Sequence, residues 1–133
     1  MAAIKYTLST DRTKRAPSIE AEAEGLNRRG SLWYELNVEP QRAEIGDLVY
    51  FIRAGEMVAR VLITDCTWKD AAEMGGSYTG VETTTSCNRF EIRKMELAER
   101  PIPHKGFQGL RYVTAKELPA FENAFKIRRG KRT

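Results

Sequence analysis

The stretch from position 30 to position 51, GSLWYELNVEPQRAEIGDLVYF, decides the fold of this chain. Apolar and polar residues alternate along its first part, which predicts a β-strand, because strand side chains point alternately to opposite faces. One predicted face holds Leu32, Tyr34, Leu36 and Val38, and the other holds Trp33, Glu35 and Asn37. A turn is predicted at Gly46-Asp47. The apolar run 48–53 that follows it is typical of a strand buried on both faces.

The flanking sequence predicts further strands and one helix near each end of the chain. A first strand is expected at 4–9, and a helix is expected to begin at Pro17 or Ser18 and to close before Gly30. Residues 54–56 predict a hairpin loop, so that 57–64 pairs back antiparallel. Further on, a bent strand is expected at 88–97, interrupted at Pro101–Pro103, and a short strand at 110–113.

The last predicted element is a helix that continues to about Phe125. Thr114 and Glu117 have the spacing of a capping box, which marks the start of a helix. The chain is thus expected to be mainly β, of the α+β class, with five or six mostly antiparallel strands. Such a set of strands favours a small barrel or a strongly curved sheet decorated by helices.

Composition predicts one domain over 1–125, followed by a basic tail at 126–133. The chain has 133 residues, 41% hydrophobic and 30% charged, which is enough to bury a core. No apolar run approaches the roughly 20 residues of a membrane-spanning helix. The N-terminal segment lacks the apolar stretch of a secretory signal. We therefore expect a cytoplasmic protein that makes no membrane contact.

The net charge of +4 belongs to the tail, KIRRGKRT. It holds five of the 22 basic residues and none of the 18 acidic ones, so the remaining chain carries 17 against 18. A short basic tail is typical of nucleic-acid binding, and equally typical of a segment that keeps a protein in solution. The basic residues of the tail are Lys126, Arg128, Arg129, Lys131 and Arg132.

The sequence predicts neither a metal site nor a cofactor. Cys66, Cys87 and His104 are its only cysteines and histidine, and they are scattered singly. A structural zinc site usually draws four such ligands, commonly from closely spaced pairs. We expect both cysteines to be small buried apolar residues. Motifs of the common enzyme classes are also absent from the sequence.

Two glycine-containing segments carry further candidates for ligand binding. The first, 65–86, offers Trp68 and Tyr78 either as a lid over a ligand or as rings packed onto the core of the domain. The second contains Gly106 and Gly109, which form either a tight turn or a backbone that approaches a ligand closely. Its polar candidates are Lys105, Gln108 and Arg111.

The opening stretch resembles the ASCH domains of the PUA-like superfold. Their signature, G-x-K-x-x-E-x-R, follows a helix and precedes a Gly-Asp pair that opens a buried strand. Gly30, Glu35 and the Gly46-Asp47 pair match this pattern, and the resemblance covers roughly positions 17–64. Leu32 and Asn37 stand at the lysine and arginine positions. The resemblance implies a PUA-like β-barrel whose cleft, between the barrel and the helices, receives RNA or a modified nucleobase.

We therefore expect a binding module for RNA or a nucleotide-like molecule. Trp33 would stack on a base, with Trp68 or Tyr78 as a second ring, and Glu35 and Asn37 would read its polar edge. Phosphate contacts would come from Lys105, Arg111 and the tail. Alternatively, the Trp33–Glu35 face is simply half-solvated, with Glu35 paired to an arginine.

Two other functions remain open. The resemblance implies a small hydrolase, a ribonuclease or an amidohydrolase of a modified nucleoside, with Glu35 as its general acid or base. Leu32 replaces the lysine that family members use, which favours binding over catalysis. The third reading is a protein-interaction module whose exposed aromatic residues contact a partner.

Overall fold

The computed structural model describes residues 3–8, 17–36, 43–67, 77–78, 81–82, 88–107 and 110–125. Its two helices are α1 (Ile19–Arg29) and α2 (Leu118–Asn123). The strands are β1 (Ala3–Thr7), β2 (Leu32–Leu36), β3 (Leu48–Arg53), β4 (Glu56–Leu62), β5 (Asp65–Thr67), β6 (Ser77–Tyr78), β7 (Val81–Glu82), β8 (Asn88–Ile92), β9 (Met95–Pro103) and β10 (Leu110–Tyr112). The prediction of a mainly β, α+β fold with a helix near each end is confirmed.

The strands form two open sheets and a separate two-stranded pair. The larger sheet has the order β10-β1-β3-β4-β9, and the smaller has the order β2-β8-β5. Among the described residues no closed barrel forms, because the edge strands β10 and β9 of the larger sheet do not pair with each other, and β2 pairs with β8 in the smaller sheet. All pairs are antiparallel except β1 with β3. Five or six predicted strands become ten in the described residues, because the predicted strand at 88–97 is divided between the two sheets and because β5, β6 and β7 were not predicted.

The prediction that Pro101–Pro103 interrupts the chain's strand pattern is wrong. β9 continues through both prolines to its end at Pro103. Because β9 lies at the edge of the larger sheet, it has one side without a neighbouring strand. A proline is tolerated at such an edge, where the missing N–H costs no ladder hydrogen bond.

Two buried clusters lie on opposite faces of the larger sheet. The first contains Tyr6 and Phe51 from this sheet, Tyr34 and Phe90 from the smaller sheet and Leu26 from α1. The second contains the sheet residues Tyr50, Ile52 and Met57 and the C-terminal residues Phe121 and Phe125. β3 contributes alternately to both clusters, so the prediction of a strand buried on both faces is confirmed.

The predicted bounds of α1 are confirmed by its caps. The Ser18 hydroxyl accepts a hydrogen bond from the Ala21 amide at 3.1 Å, and Gly30 ends the helix with φ 85°. A left-handed conformation of this kind suits glycine, which has no Cβ. The Tyr34 hydroxyl donates to the buried Glu22 carboxylate at 2.6 Å, which joins α1 to β2. None of the helices in the described ranges is long and apolar enough to cross a membrane.

Candidate functional site

Lys5 is a nearly buried lysine in the middle of the larger sheet. Its neighbours in β1, Ile4 and Tyr6, both belong to the first core cluster, so Lys5 points to the opposite face, towards α2. Only 7% of the residue is exposed. Burying an ammonium group is costly unless the group is paired and hydrogen-bonded. The residues that pair with the Lys5 ammonium group therefore determine the chemistry of this site.

Three acceptors surround the Lys5 ammonium group. The nitrogen Nζ lies 2.9 Å from Oε1 and 2.8 Å from Oε2 of Glu117, and 3.0 Å from Nε2 of His104. A lysine ammonium has three N–H donors and no acceptor, so these contacts use all three. We call this group the Lys5–His104–Glu117 cluster.

The second nitrogen of His104 indicates which tautomer fits. Nδ1 lies 2.7 Å from the backbone oxygen of Lys105, which can only accept, so Nδ1 carries the proton. Nε2 then offers its lone pair to Lys5, and the imidazole is neutral. Nε2 also lies 3.2 Å from Oε2 of Glu117. With one ammonium, one carboxylate and one neutral ring, the cluster has no net charge.

Glu117 is oriented by the turn that leads into α2. The Glu117 amide donates to the Thr114 hydroxyl at 3.1 Å, and the Thr114 amide donates to Oε1 of Glu117 at 3.0 Å. These reciprocal bonds confirm the predicted capping box. Burial alone would raise the pKa of the Glu117 carboxyl, but the hydrogen bonds from Lys5 and Thr114 and the charge of Lys5 lower that pKa to about 2.

Phe107 lies beside this cluster, and two cations and the His104 ring lie near its own ring. The Arg111 guanidinium is 4.8 Å from the ring centroid, Lys5 Nζ is 5.7 Å from it, and the His104 ring is 5.9 Å away. The Phe107 amide donates to the Thr7 hydroxyl at 3.2 Å, which holds the loop against the end of β1. Phe107 is partly exposed, whereas Lys105 and Arg111 are exposed. We call Lys105, Phe107 and Arg111 the Phe107 surface.

Trp33 and Glu35 lie on the outer face of the smaller sheet. Tyr34 between them points into the first core cluster, so its two neighbours point away from it. The Arg89 guanidinium lies 4.4 Å from the Trp33 ring centroid, and Arg89 is the cross-strand partner of Glu35. This arrangement fits the half-solvated alternative, in which an arginine is the neighbour of Glu35.

Glu91 is the buried carboxylate of the same outer face, opposite Trp33 in the sheet register. It accepts hydrogen bonds from the Thr64 hydroxyl at 2.8 Å and from Arg93 Nε at 3.2 Å. Burial alone would raise the pKa of the Glu91 carboxyl, but these hydrogen bonds and the charge of Arg93 lower it. Glu91 is therefore a satisfied structural carboxylate.

The structure does not bring the predicted site residues together. Arg111 is the register partner of Lys5, so its side chain lies on the α2 face of the larger sheet, whereas Trp33 and Glu35 lie beyond the opposite face. The Tyr6 hydroxyl of β1 donates to the Glu35 backbone carbonyl of β2 at 2.9 Å, which joins the two sheets between these groups.

Several other predicted residues lie outside the described part of the chain. These are Asn37, Trp68, Gln108, Cys87 and the whole tail. Tyr78 is described only as a backbone position in β6, paired with Val81. Cys66 is partly buried against the first core cluster, and burial together with the nearby Asp65 charge raises the pKa of its thiol.

A groove of about 240 Å³ lies between the start of α1, the β3–β4 hairpin and β9. Its lining includes Ile19, Glu20, Arg53 and Val58. No residue of the sequence-predicted site lines this groove, and the Lys5–His104–Glu117 cluster does not line it either. The groove is thus separate from both groups described above.

Comparison with known proteins shows the fold and no family. No family model matches the sequence, and no curated protein matches it. The structure is similar to protein Atu2648 from Agrobacterium tumefaciens, with a TM-score of 0.56, 13% identity, and coverage of 91% of this chain and 90% of that chain. It is also similar to Rpa0253 from Rhodopseudomonas palustris, with a TM-score of 0.54, 10% identity, and coverage of 94% and 93%. At these identities the similarity concerns the fold alone.

The sequence reasoning missed Lys5, Phe107 and Glu117 as parts of one site. The pattern gave no signal, because Lys5 alternates with Ile4 and Tyr6 on what reads as the exposed face of the first strand, and only the fold buries that face. A lysine at such a position needs a partner, and the capping-box glutamate was already identified at position 117. Their contact spans 112 positions, which sequence spacing cannot reveal.

Proposed function

We propose that this domain binds single-stranded RNA, or a nucleotide-sized part of it, at the Phe107 surface. The observation that carries the proposal is the Phe107 ring itself, partly exposed and lying 4.8 Å from the Arg111 guanidinium. Proteins that bind single strands combine aromatic stacking platforms with cations that follow the phosphates. This surface contains both elements within one loop and one strand.

The geometry supports a simple exchange on binding. A base that stacks on Phe107 takes the place of the Arg111 guanidinium, which then pairs with a phosphate. Stacking of a base on an aromatic ring is worth about 1–3 kcal/mol. Arginine suits phosphate because its planar donor fork matches two oxygens at once. Lys105, exposed in the same loop as Phe107, adds a second phosphate contact.

The surroundings support an anionic ligand as well. The Lys5–His104–Glu117 cluster is neutral, so the positive charge of this surface comes from Lys105 and Arg111. Phe107 packs against the second core cluster, which also contains Phe125, the last described residue before the basic tail. Phe125 and Phe107 therefore lie on the same face of the larger sheet.

The Trp33 face is the rival position for the same function. Trp33, like Phe107, has a guanidinium near its ring, that of Arg89, but exposed carboxylates of Glu35 and Asp65 share its sheet face. Carboxylates near a phosphate backbone repel it, so this face is less suited to RNA. The carboxylate recorded next to the Phe107 surface is that of Glu117, and it is paired with Lys5.

Fluorescence anisotropy with a labelled octauridylate tests the proposal. We expect binding at 50 mM salt that weakens as salt rises to 200 mM, because phosphate contacts release counterions. Phe107→Leu should weaken binding by about tenfold through lost stacking. Trp33→Leu is the matched control, an aromatic-to-leucine change on the other face, and should leave the affinity within about twofold.

Charge-neutralising variants form the second arm. Arg111→Gln and Lys105→Gln should each weaken binding and reduce its salt dependence, whereas Lys94→Gln, at an exposed turn between β8 and β9, should do neither. If wild-type protein fails to bind at 50 mM salt, the function proposed here is wrong. If Trp33→Leu abolishes binding and Phe107→Leu does not, the site lies on the smaller sheet.

A further inference from the structure

We propose that His104 couples binding at the Phe107 surface to proton uptake, so that the affinity for a polyanion rises as the pH falls. The inference rests on the function proposed above and concerns the regulation of that same surface. It follows from the hydrogen-bond geometry of the Lys5–His104–Glu117 cluster.

The imidazole of His104 can accept one further proton, and only at Nε2. Its Nδ1 already donates to the Lys105 backbone oxygen at 2.7 Å. Nε2 faces Lys5 Nζ at 3.0 Å and Glu117 Oε2 at 3.2 Å. Protonation at Nε2 removes the hydrogen bond from Lys5 and replaces it with a donation to Glu117. The carboxylate is therefore in place to receive the new N–H.

Protonation changes the charge beneath the Phe107 surface from zero to +1. Among the described residues, the charged groups recorded in contact with His104 or Phe107 are Lys5 from β1, Glu117 from the turn before α2 and Arg111 from β10. The apolar ring of Phe121 in α2 lies 5.9 Å from the His104 ring, measured between centroids. Since the pKa of Glu117 is about 2, its carboxylate stays ionised at pH 5.5. The added proton thus adds net charge.

His104 is the only histidine of the chain. Histidine is the side chain whose ordinary titration falls between pH 5 and 8. His104 therefore supplies the imidazole through which the cluster can take up a proton.

Thermodynamic linkage makes the effect reciprocal. If a proton on His104 strengthens the binding of a polyanion, then the polyanion strengthens the binding of the proton by the same factor. A unit charge several ångströms from a phosphate, partly screened by water, corresponds to about a fivefold change in affinity. The structure therefore leads us to expect both a pH-dependent affinity and proton uptake on binding.

Two probes and one variant test this, with full-length protein free of any histidine tag. The probes are octauridylate and inorganic polyphosphate, which carries negative charge but no base. Affinities are measured at pH 5.5 and pH 7.5 for wild type and His104→Gln, which keeps an acceptor for Lys5 but cannot be charged. Calorimetry in two buffers of different ionisation enthalpy measures proton uptake on wild type alone, so that the test does not depend on the variant folding.

We expect wild-type affinity for both probes to be about fivefold higher at pH 5.5, and that of His104→Gln to change less than twofold. Proton uptake should be measurable but stay below about half a proton per bound probe, because a fivefold coupling shifts the protonation of the ring only in part. Equal affinity of the wild type at both pH values, or an equal change in the variant, overturns the coupling. Octauridylate binding at pH 7.5 then still upholds the proposed function.

The same experiment can also show that the pH coupling is right and the proposed RNA binding is wrong. In that case polyphosphate binds with the expected pH dependence while octauridylate binds no more tightly than polyphosphate of equal charge. That result would support the coupling and contradict the proposed recognition of RNA. If neither probe binds at either pH, both proposals are wrong.

Discussion

The ammonium nitrogen of Lys5 lies 2.9 and 2.8 Å from the two carboxylate oxygens of Glu117, which is 112 positions further along the chain. The pair joins a central strand of the larger sheet to the turn before α2. The Lys5 side chain is 9% exposed and the Glu117 side chain 28%. Since the lysine is almost removed from water, the loss of one partner costs more than the intact pair contributes.

Lys5→Met should therefore destabilise the protein by about 2–3 kcal/mol, measured as the free energy of unfolding in urea. Methionine keeps the length of the chain but leaves the Glu117 carboxylate without its cation. Glu96→Gln breaks the exposed ion pair with Arg60, in which Glu96 is 52% exposed, and should cost less than about 1 kcal/mol. Equal effects of the two variants would show that burial adds nothing to the Lys5 pair.

The double variant Lys5→Met/Glu117→Leu tests the same point from the other side. Replacing both partners of a buried ion pair by apolar residues is often nearly neutral. We expect the double variant to be more stable than Lys5→Met alone, although the capping box is lost. A strictly additive loss would rule out energetic coupling between the two residues.

Acid should weaken the protein through Glu117. Its pKa is about 2 in the folded protein against an ordinary value of 4.5. The folded carboxyl thus has the lower pKa, and its stabilisation is fully present above about pH 5 and is lost as the pH falls towards 2. The shift corresponds to about 3 kcal/mol. Wild-type stability in urea should fall more steeply than that of Glu117→Gln over this range, and parallel curves would contradict the assignment.

Substitution by alanine should change the stability in opposite directions at Gly25, inside α1, and at Gly30, which caps it. At Gly25, inside the helix, a new Cβ would lie 3.7 Å from the Arg28 side chain, an ordinary contact, so Gly25→Ala should stabilise the protein by up to about 1 kcal/mol. Gly30 has φ 85°, and Gly30→Ala should destabilise it by about 1 kcal/mol. Thermal unfolding of both variants checks the signs, and a stable Gly30→Ala would show that the helix end can rearrange.

Two tyrosine hydroxyls permit a comparison of acceptors. Tyr34 donates to the buried Glu22 carboxylate at 2.6 Å, whereas Tyr6 donates to the Glu35 backbone carbonyl at 2.9 Å. Tyr34→Phe should cost about 2 kcal/mol because it leaves a buried carboxylate oxygen without this donor. Tyr6→Phe should cost about 1 kcal/mol. A larger loss for Tyr6→Phe would contradict this ranking.

Local signals in the sequence were enough for most of the elements. Ser18 and Gly30 have the residue types that begin and end a helix, so the bounds of α1 were predicted within one residue. The continuous apolar run of β3 identified a strand with two buried faces. These patterns act within a few residues, where backbone geometry and side-chain chemistry are sufficient to decide the structure.

The pairing of strands could not be predicted in the same way. β2 and β3 are neighbours in sequence, yet β2 pairs with β8 in a separate sheet. The choice depends on which apolar faces pack against each other across the first core cluster, and Tyr34 and Phe90 meet there with ring centroids 5.5 Å apart. Contacts between residues so distant along the chain leave no periodic trace in either segment.

For the candidate site, the sequence by itself determined the residue types and their faces. It placed Lys105 and Arg111 beside a glycine-containing loop, identified Glu117 by its capping box, and set Trp33 and Glu35 on one face of a strand. Only the tertiary structure decided which of these residues meet. The sheet puts Trp33 and Glu35 on one side and joins Lys5, His104 and Glu117 on the other. The reason is physical: a side chain's face follows from local backbone geometry, whereas its partners follow from the burial of a charge that must find acceptors across the whole fold.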